Sequence, residues 1–125
     1  MGSSPDPSAF LPLKADDFNI LLSLADGDRH GYAMLKEIEA ATGGRSRIAP
    51  SPFYRRIKRL LEGSLVVEAD ERPAPELDDE RRRYFRLTPL GRTVLAAEAA
   101  RLVELAGTER VRRLAMETTS GGHRG

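Results

Sequence analysis

The chain has 125 residues, enough for one domain with a modest core and short tails, and its net charge is only +1, so global charge says nothing about nucleic acid. It contains no cysteine, which excludes a disulfide framework, a thiolate metal site and a cysteine nucleophile. No apolar run approaches the ~20 residues of a membrane span and no signal-peptide pattern opens the chain, so a cytoplasmic protein without a membrane partner is expected.

Residues 1–9 are mainly Gly, Ser, Pro and Asp and read as a disordered tail. Phe10-Leu11-Pro12-Leu13 is more apolar and is expected to pack back on the body as an extended arm. Asp16 and Asp17 place negative charge where a helix dipole favours it. Phe18, Leu21, Leu22 and Ala25 follow at i, i+3, i+4, i+7, and Gly27 stops this first core helix. After Asp26-Gly27-Asp28, a second helix is predicted over His30–Ala41, with Gly31, Met34, Leu35, Ile38 and Ala41 on one face and Lys36, Glu37 and Glu39 opposite. Gly43-Gly44 ends it.

The stretch Ser51–Gly63 organises the chain. Ser51 is predicted to cap a helix and Pro52 to occupy its first position, where a missing N–H costs nothing. Phe53, Ile57, Leu60 and Leu61 recur at helical spacing, while Arg55, Arg56, Lys58 and Arg59 fill most of the rest. From Arg45 to Arg59 there are six basic residues and no acidic one. Solvated surface helices usually mix Glu among their positives for i,i+4 pairing, and here that mixing is absent. Two helices, a Gly-containing connection and a basic second helix make a helix-turn-helix, with a longer turn than usual.

Past Gly63-Ser64 the period becomes extended. Leu65–Glu68 and Arg82–Leu87 are predicted as two strands around a polar loop, a β-hairpin wing. Residues 68–80 hold seven acids against Arg72 alone, whereas Arg81, Arg82, Arg83 and Arg86 follow at once. An acidic loop is repelled by phosphate, which leaves these arginines to do any binding. Thr88-Pro89 then starts a helix running from Leu90 to about Met116. Leu95, Ala99, Leu102 and Ala106 form a seam that loses phase at Gly107-Thr108, where a kink or fraying is expected. A helix of about 25 residues spans roughly 38 Å, more than a three-helix body covers, so a second copy of the chain is its expected partner. Residues 118–125 read as a disordered tail.

Leu21-Leu22-x-Leu24-Ala25-Asp26-Gly27-x-x-His30-Gly31-Tyr32, Tyr54-x-x-Ile57-Lys58-Arg59-Leu60 and Asp78-Asp79-Glu80-Arg81-Arg82-Arg83-Tyr84-Phe85-Arg86-Leu87-Thr88-Pro89-Leu90-Gly91 resemble the PadR family of bacterial transcriptional regulators. The likeness runs from about Leu11 to Leu105, in the family's order. It implies a mainly α fold with a β-hairpin (α+β), a winged helix-turn-helix over 10–88, and a C-terminal helix over 89–117 that mediates homodimerisation, as in the family's smaller subgroup. It further implies a repressor of double-stranded DNA operators released by a small-molecule inducer. Two departures stand out. The family usually opens its recognition helix with Gly-Thr-Leu-Tyr, where this chain has Ser51-Pro52-Phe53-Tyr54. It usually has Gly immediately before the strand leucine, where this chain has Gly63-Ser64-Leu65.

The expected DNA-facing set is His30, Tyr32, Arg47, Ser51, Tyr54, Arg55, Lys58, Arg59, Arg81, Arg82 and Arg83. Ser51 and Arg55 are the candidates for base readout, and Arg56 is expected near the open side. Tyr54, Lys58, Arg59 and the wing arginines are assigned to the backbone. The expected dimer interface is Leu95, Ala99, Leu102 and Ala106. A metal at His30 is not expected, because the only other histidine is His123. Asp78-Asp79-Glu80 lack an apolar surrounding that could raise a pKa, and Ser51 lacks a base, so neither cofactor nor catalysis is expected. A winged-helix protein–protein module without specific DNA binding is the alternative.

Overall fold

A computed structural model describes residues 6–69 and 83–121, with five α-helices and three short strands among them. α1 (Ala15–Leu22) carries Asp16 and Asp17 in its first turn. Its phase differs from the predicted stripe: Ile20, Leu21 and the following Leu24 are buried, Phe18 is half-buried and Leu22 is exposed. β1 (Arg29–His30) then pairs antiparallel with β3 (Tyr84–Leu87), with His30 opposite Tyr84. Two residues carry no readable alternation, so this third strand was not legible in the sequence. α2 (Gly31–Ala41) buries Met34 and Ile38, and His30 caps it, Nδ1 accepting the amide of Ala33 at 3.1 Å.

α3 (Pro50–Glu62) buries Phe53, Ile57 and Leu60 and leaves Leu61 half-buried, which fixes its rotation. After Gly63, Ser64 takes a left-handed backbone (φ +65°) at the turn into β2 (Val66–Glu68). β2 joins the sheet on the other side of β3, giving the order β1-β3-β2. The connection between the two wing strands, residues 70–82, lies outside the described residues.

Thr88 fastens the next helix to this turn. Its hydroxyl donates to Ser64 O at 2.6 Å and accepts the Gly91 amide at 2.9 Å, capping α4 (Pro89–Ala106). A Cβ on Gly91 would collide with Leu65 O, so only glycine lets α4 approach this closely. α4 buries Val94, Leu95 and Glu98 and packs on α1 and on a 3-10 turn at Pro7–Phe10. Part of the expected tail is therefore folded. The apolar arm does lie on the body, with Phe10, Leu11 and Leu13 partly buried against the core.

The expected kink is a break. α4 ends at Ala106, Gly107 bonds back to Val103 O at 3.0 Å, and α5 (Glu109–Gly121) follows. α5 reaches four residues beyond the predicted boundary at 117. Leu95 belongs to the chain's own core at 6% exposure and cannot also meet a partner; Ala99 and Leu102 are half-buried and Ala106 is exposed. No helix is long and apolar enough to cross a membrane, among the described residues.

Candidate nucleic-acid interface

The first turn of α3 begins two residues earlier than predicted. Ala49 is the N-cap and makes no side-chain cap bond, so Ser51 is an exposed second-position residue rather than the cap. Pro50 takes the place expected of Pro52, because its fixed φ suits the first helical position. One turn on, Arg55, Lys58 and Arg59 are exposed, and none has an acidic partner within 4 Å among the described residues. They share the face opposite Phe53, Ile57 and Leu60, with Ser51 at its leading end.

Arg56 departs from this face. It turns to α1, where Nη1 meets Asp17 at 3.1 Å and Nε meets Asp16 at 3.6 Å. The acids at the start of α1 thus tie α3 to α1 as well as matching a helix dipole. Tyr54 is half-buried, packs edge-on against Phe53 and lies over α2, where a Cβ on Gly31 would collide with its hydroxyl oxygen. Burial pushes its phenol pKa above the usual value. Tyr54 therefore sets the spacing of α2 and α3.

At the start of α2, His30 stacks near Tyr32 and meets Tyr84 edge-on. Tyr32 is 58% exposed, and Lys36 holds its ammonium 5.2 Å from the ring centroid. Lys36 was not among the expected residues, although its position four after Tyr32 on one helical face was the available signal. Arg47 is exposed but already held by Glu39, through Nε at 3.1 Å and Nη2 at 3.0 Å. Between α2 and the chain leading into α3 is an open recess of about 480 Å³, its walls including Leu35, Ile48, Ala49 and Pro50.

The wing is different. Arg83 grips Glu68 with two hydrogen bonds of 2.9 Å, and its guanidinium lies 5.4 Å from the Phe85 ring centroid. Arg86 is bonded in the same way to Asp28, whose carboxyl is held below its ordinary pKa chiefly by that hydrogen bond. Arg83 was expected to be given to DNA and is engaged within the sheet instead; Arg81 and Arg82 lie outside the described residues. The structure thus sets Ser51, Arg55, Lys58 and Arg59 on one face of α3, and separately places His30 at the cap of α2 with Tyr32 and Lys36 paired in its first turns. No group of three metal-ligating side chains occurs among the described residues.

The chain is similar to known proteins. Residues 20–97 match the model of the transcriptional regulator PadR-like family. An uncharacterized 37.1 kDa protein in transposon TN4556 of Streptomyces fradiae is 38% identical over 88 residues, 70% of this chain. The chain spans 23% of that relative's length. Among solved structures, RosR of H. salinarum aligns with a TM-score of 0.64 at 22% identity, covering 92% of this chain and 96% of that one. A PadR-like transcription factor from Bacteroides fragilis gives 0.61 at 20% identity, covering 78% and 87%. At these identities the structural likeness speaks for the fold, the winged helix. The family is one of transcriptional regulators rather than enzymes, and with its model matched across most of the winged helix, this chain belongs to the PadR-like family.

Proposed function

We propose that the protein is a homodimeric, sequence-specific DNA-binding repressor that reads an inverted-repeat operator with α3. The observation carrying this reading is the set Arg55, Lys58 and Arg59, three exposed cations without acidic partners among the described residues, on a helix whose opposite side is locked in the core. A helix so anchored can enter a major groove without losing its rotation. Ser51 and Arg55, nearest its leading end, face base edges; Lys58 and Arg59 face phosphates. Tyr32 and Lys36 at the start of α2 supply a second backbone contact.

A second copy of the chain completes the molecule. Val103, Leu105, Leu114 and Met116 are 72%, 48%, 54% and 68% exposed, an apolar surface that water disfavours. Association is therefore assigned to the distal half of α4 and to α5, with Ala99, Leu102 and Ala106 from the predicted seam and without Leu95. The family resemblance adds release by a small-molecule inducer, and the DNA target makes the cytoplasm the site of action. Binding-site selection followed by titration at fixed salt tests the reading. A palindromic consensus supports it. Absence of salt-dependent DNA binding supports a protein–protein module instead.

A further inference from the structure

We propose that the recess between α2 and the chain leading into α3 binds a monocarboxylate with an unbranched hydrocarbon body, and that its occupancy excludes DNA, which rests on the DNA-binding reading above. The recess holds about 480 Å³, within the range of roughly 300–1,000 Å³ usual for small-molecule sites. One wall is a stripe of α2 made of Tyr32, Leu35, Lys36 and Glu39, at the spacing i, i+3, i+4, i+7. The facing wall is the segment from Arg47 to Pro50. Leu35 and Ile48 are half-buried and pack against the core, so both walls are held from behind. From Tyr32 to Glu39 the stripe rises about 10 Å, the reach of an extended octanoate chain.

The charges decide the head group. Arg47 gives Nε and Nη2 to one oxygen of Glu39, at 3.1 and 3.0 Å, so these two charges cancel. The Lys36 ammonium has no carboxylate within 4 Å among the described residues and lies 5.2 Å from the Tyr32 ring centroid. Lys36 is therefore the charge left over, and it calls for an anion. A second carboxylate on the ligand would meet Glu39, so one is what fits. The Tyr32 ring already faces Lys36 and stacks near His30, which leaves Leu35, Ile48 and Pro50 to choose an aliphatic body. The recess also adjoins the DNA face, because Pro50 is the first residue of α3 and Tyr32 and Lys36 form the second backbone contact of the DNA-binding reading. A carboxylate on Lys36 takes the charge a phosphate would use and sets a negative charge in its way. A ligand that binds only the DNA-free form, at about nine times its Kd, raises the apparent operator Kd about tenfold per protomer and about a hundredfold for a dimer.

The test titrates the full chain with butanoate, hexanoate, octanoate and octanol by calorimetry and follows the Leu35 and Ile48 methyl signals by NMR. Affinity should rise about two- to fourfold for each added methylene of the carboxylates. Octanol should bind about threefold more weakly than octanoate, and Lys36→Gln, at an exposed position, should remove that difference. Octanoate at about nine times its Kd should then weaken operator binding about a hundredfold at constant ionic strength. The inference is overturned if millimolar octanoate moves neither the Leu35 nor the Ile48 signals, or if Lys36→Gln keeps the preference for octanoate over octanol. It is equally overturned if bound octanoate leaves operator affinity unchanged. Failure of the wild-type protein to bind any selected duplex would overturn the DNA-binding reading instead, while calorimetry and NMR still decide whether the recess takes the carboxylate.

Discussion

Helix α3 and the wing hold similar numbers of arginines near one another, yet among the described residues most cations of α3 have no acid in reach while those of the wing are paired. On α3, Arg55, Lys58 and Arg59 point to solvent without an acid within reach among the described residues. At the wing, Arg83 is clamped by Glu68 across the start of the hairpin, and Arg86 by Asp28 from the turn before β1. A phosphate approaching Arg83 must compete with a carboxylate already bonded at two points, whereas one approaching Lys58 displaces only water. Basic residues in a row are therefore no measure of binding potential; the distance to the nearest acid is. Within α3 the same rule separates Arg56, held by Asp16 and Asp17, from its neighbours.

The largest effect comes from removing what holds the recognition helix in place. Phe53 is fully buried, and Phe53→Ala should destabilise the fold by about 3–5 kcal/mol, measured by denaturant unfolding. A loss under about 1 kcal/mol would mean that α3 is not anchored there, and the contrast with the wing would lose its basis. Arg55→Ala should come next, costing roughly 1–3 kcal/mol of discrimination at one symmetric pair of operator positions. Uniform weakening at all positions would reassign Arg55 to the backbone. Leu102→Asp should shift sedimentation toward monomer at micromolar concentration, because it sets unpaired charge beside the exposed apolar surface of α4. An unchanged dimer would move the interface to α5 alone.

Much of this was legible in the residues. The basic helix, the stripe Phe53–Ile57–Leu60, the break at Gly107 and the start signal at Thr88-Pro89 all depend on near neighbours, which a sequence displays directly. What was not legible depends on residues distant in the chain. Arg83 finds Glu68 only because β2 and β3 pair, and Arg86 finds Asp28 across 58 positions. Leu95 looked like part of a partner-facing seam because helical spacing cannot say which body a face meets. The helix start moved from Ser51 to Ala49 because Ala49-Pro50 is a weaker written signal than Ser51-Pro52, although Pro50 satisfies the same backbone requirement.

A smaller effect concerns acid. Glu98 is buried on α4, bonded to Arg101 at 2.6 and 2.9 Å and to the amide of Leu13 at 3.2 Å. The Arg101 hydrogen bonds, foremost, hold its carboxyl below the ordinary pKa. A carboxyl that binds its proton less tightly when folded stabilises the fold above its unfolded pKa and loses that contribution as pH falls through the folded value. The arm from Phe10 to Leu13 should therefore loosen on acidification. Hydrogen exchange at the Leu13 amide should rise as pH falls below about 5 relative to intrinsic rates, and Glu98→Gln should flatten that rise. A Leu13 amide protected equally at all pH would show that Glu98 does not hold the arm.

The salt dependence of operator binding tests the contrast between α3 and wing most directly. Removing one phosphate-binding cation should reduce the slope of log K against log salt by about 0.9, hence by about 1.8 for a substitution present in both copies of a dimer. The account predicts a drop of that size for Lys58→Ala or Arg59→Ala and a slope within about 0.3 of wild type for Arg83→Ala. A full drop for Arg83→Ala, with Lys58→Ala and Arg59→Ala unchanged, would contradict it.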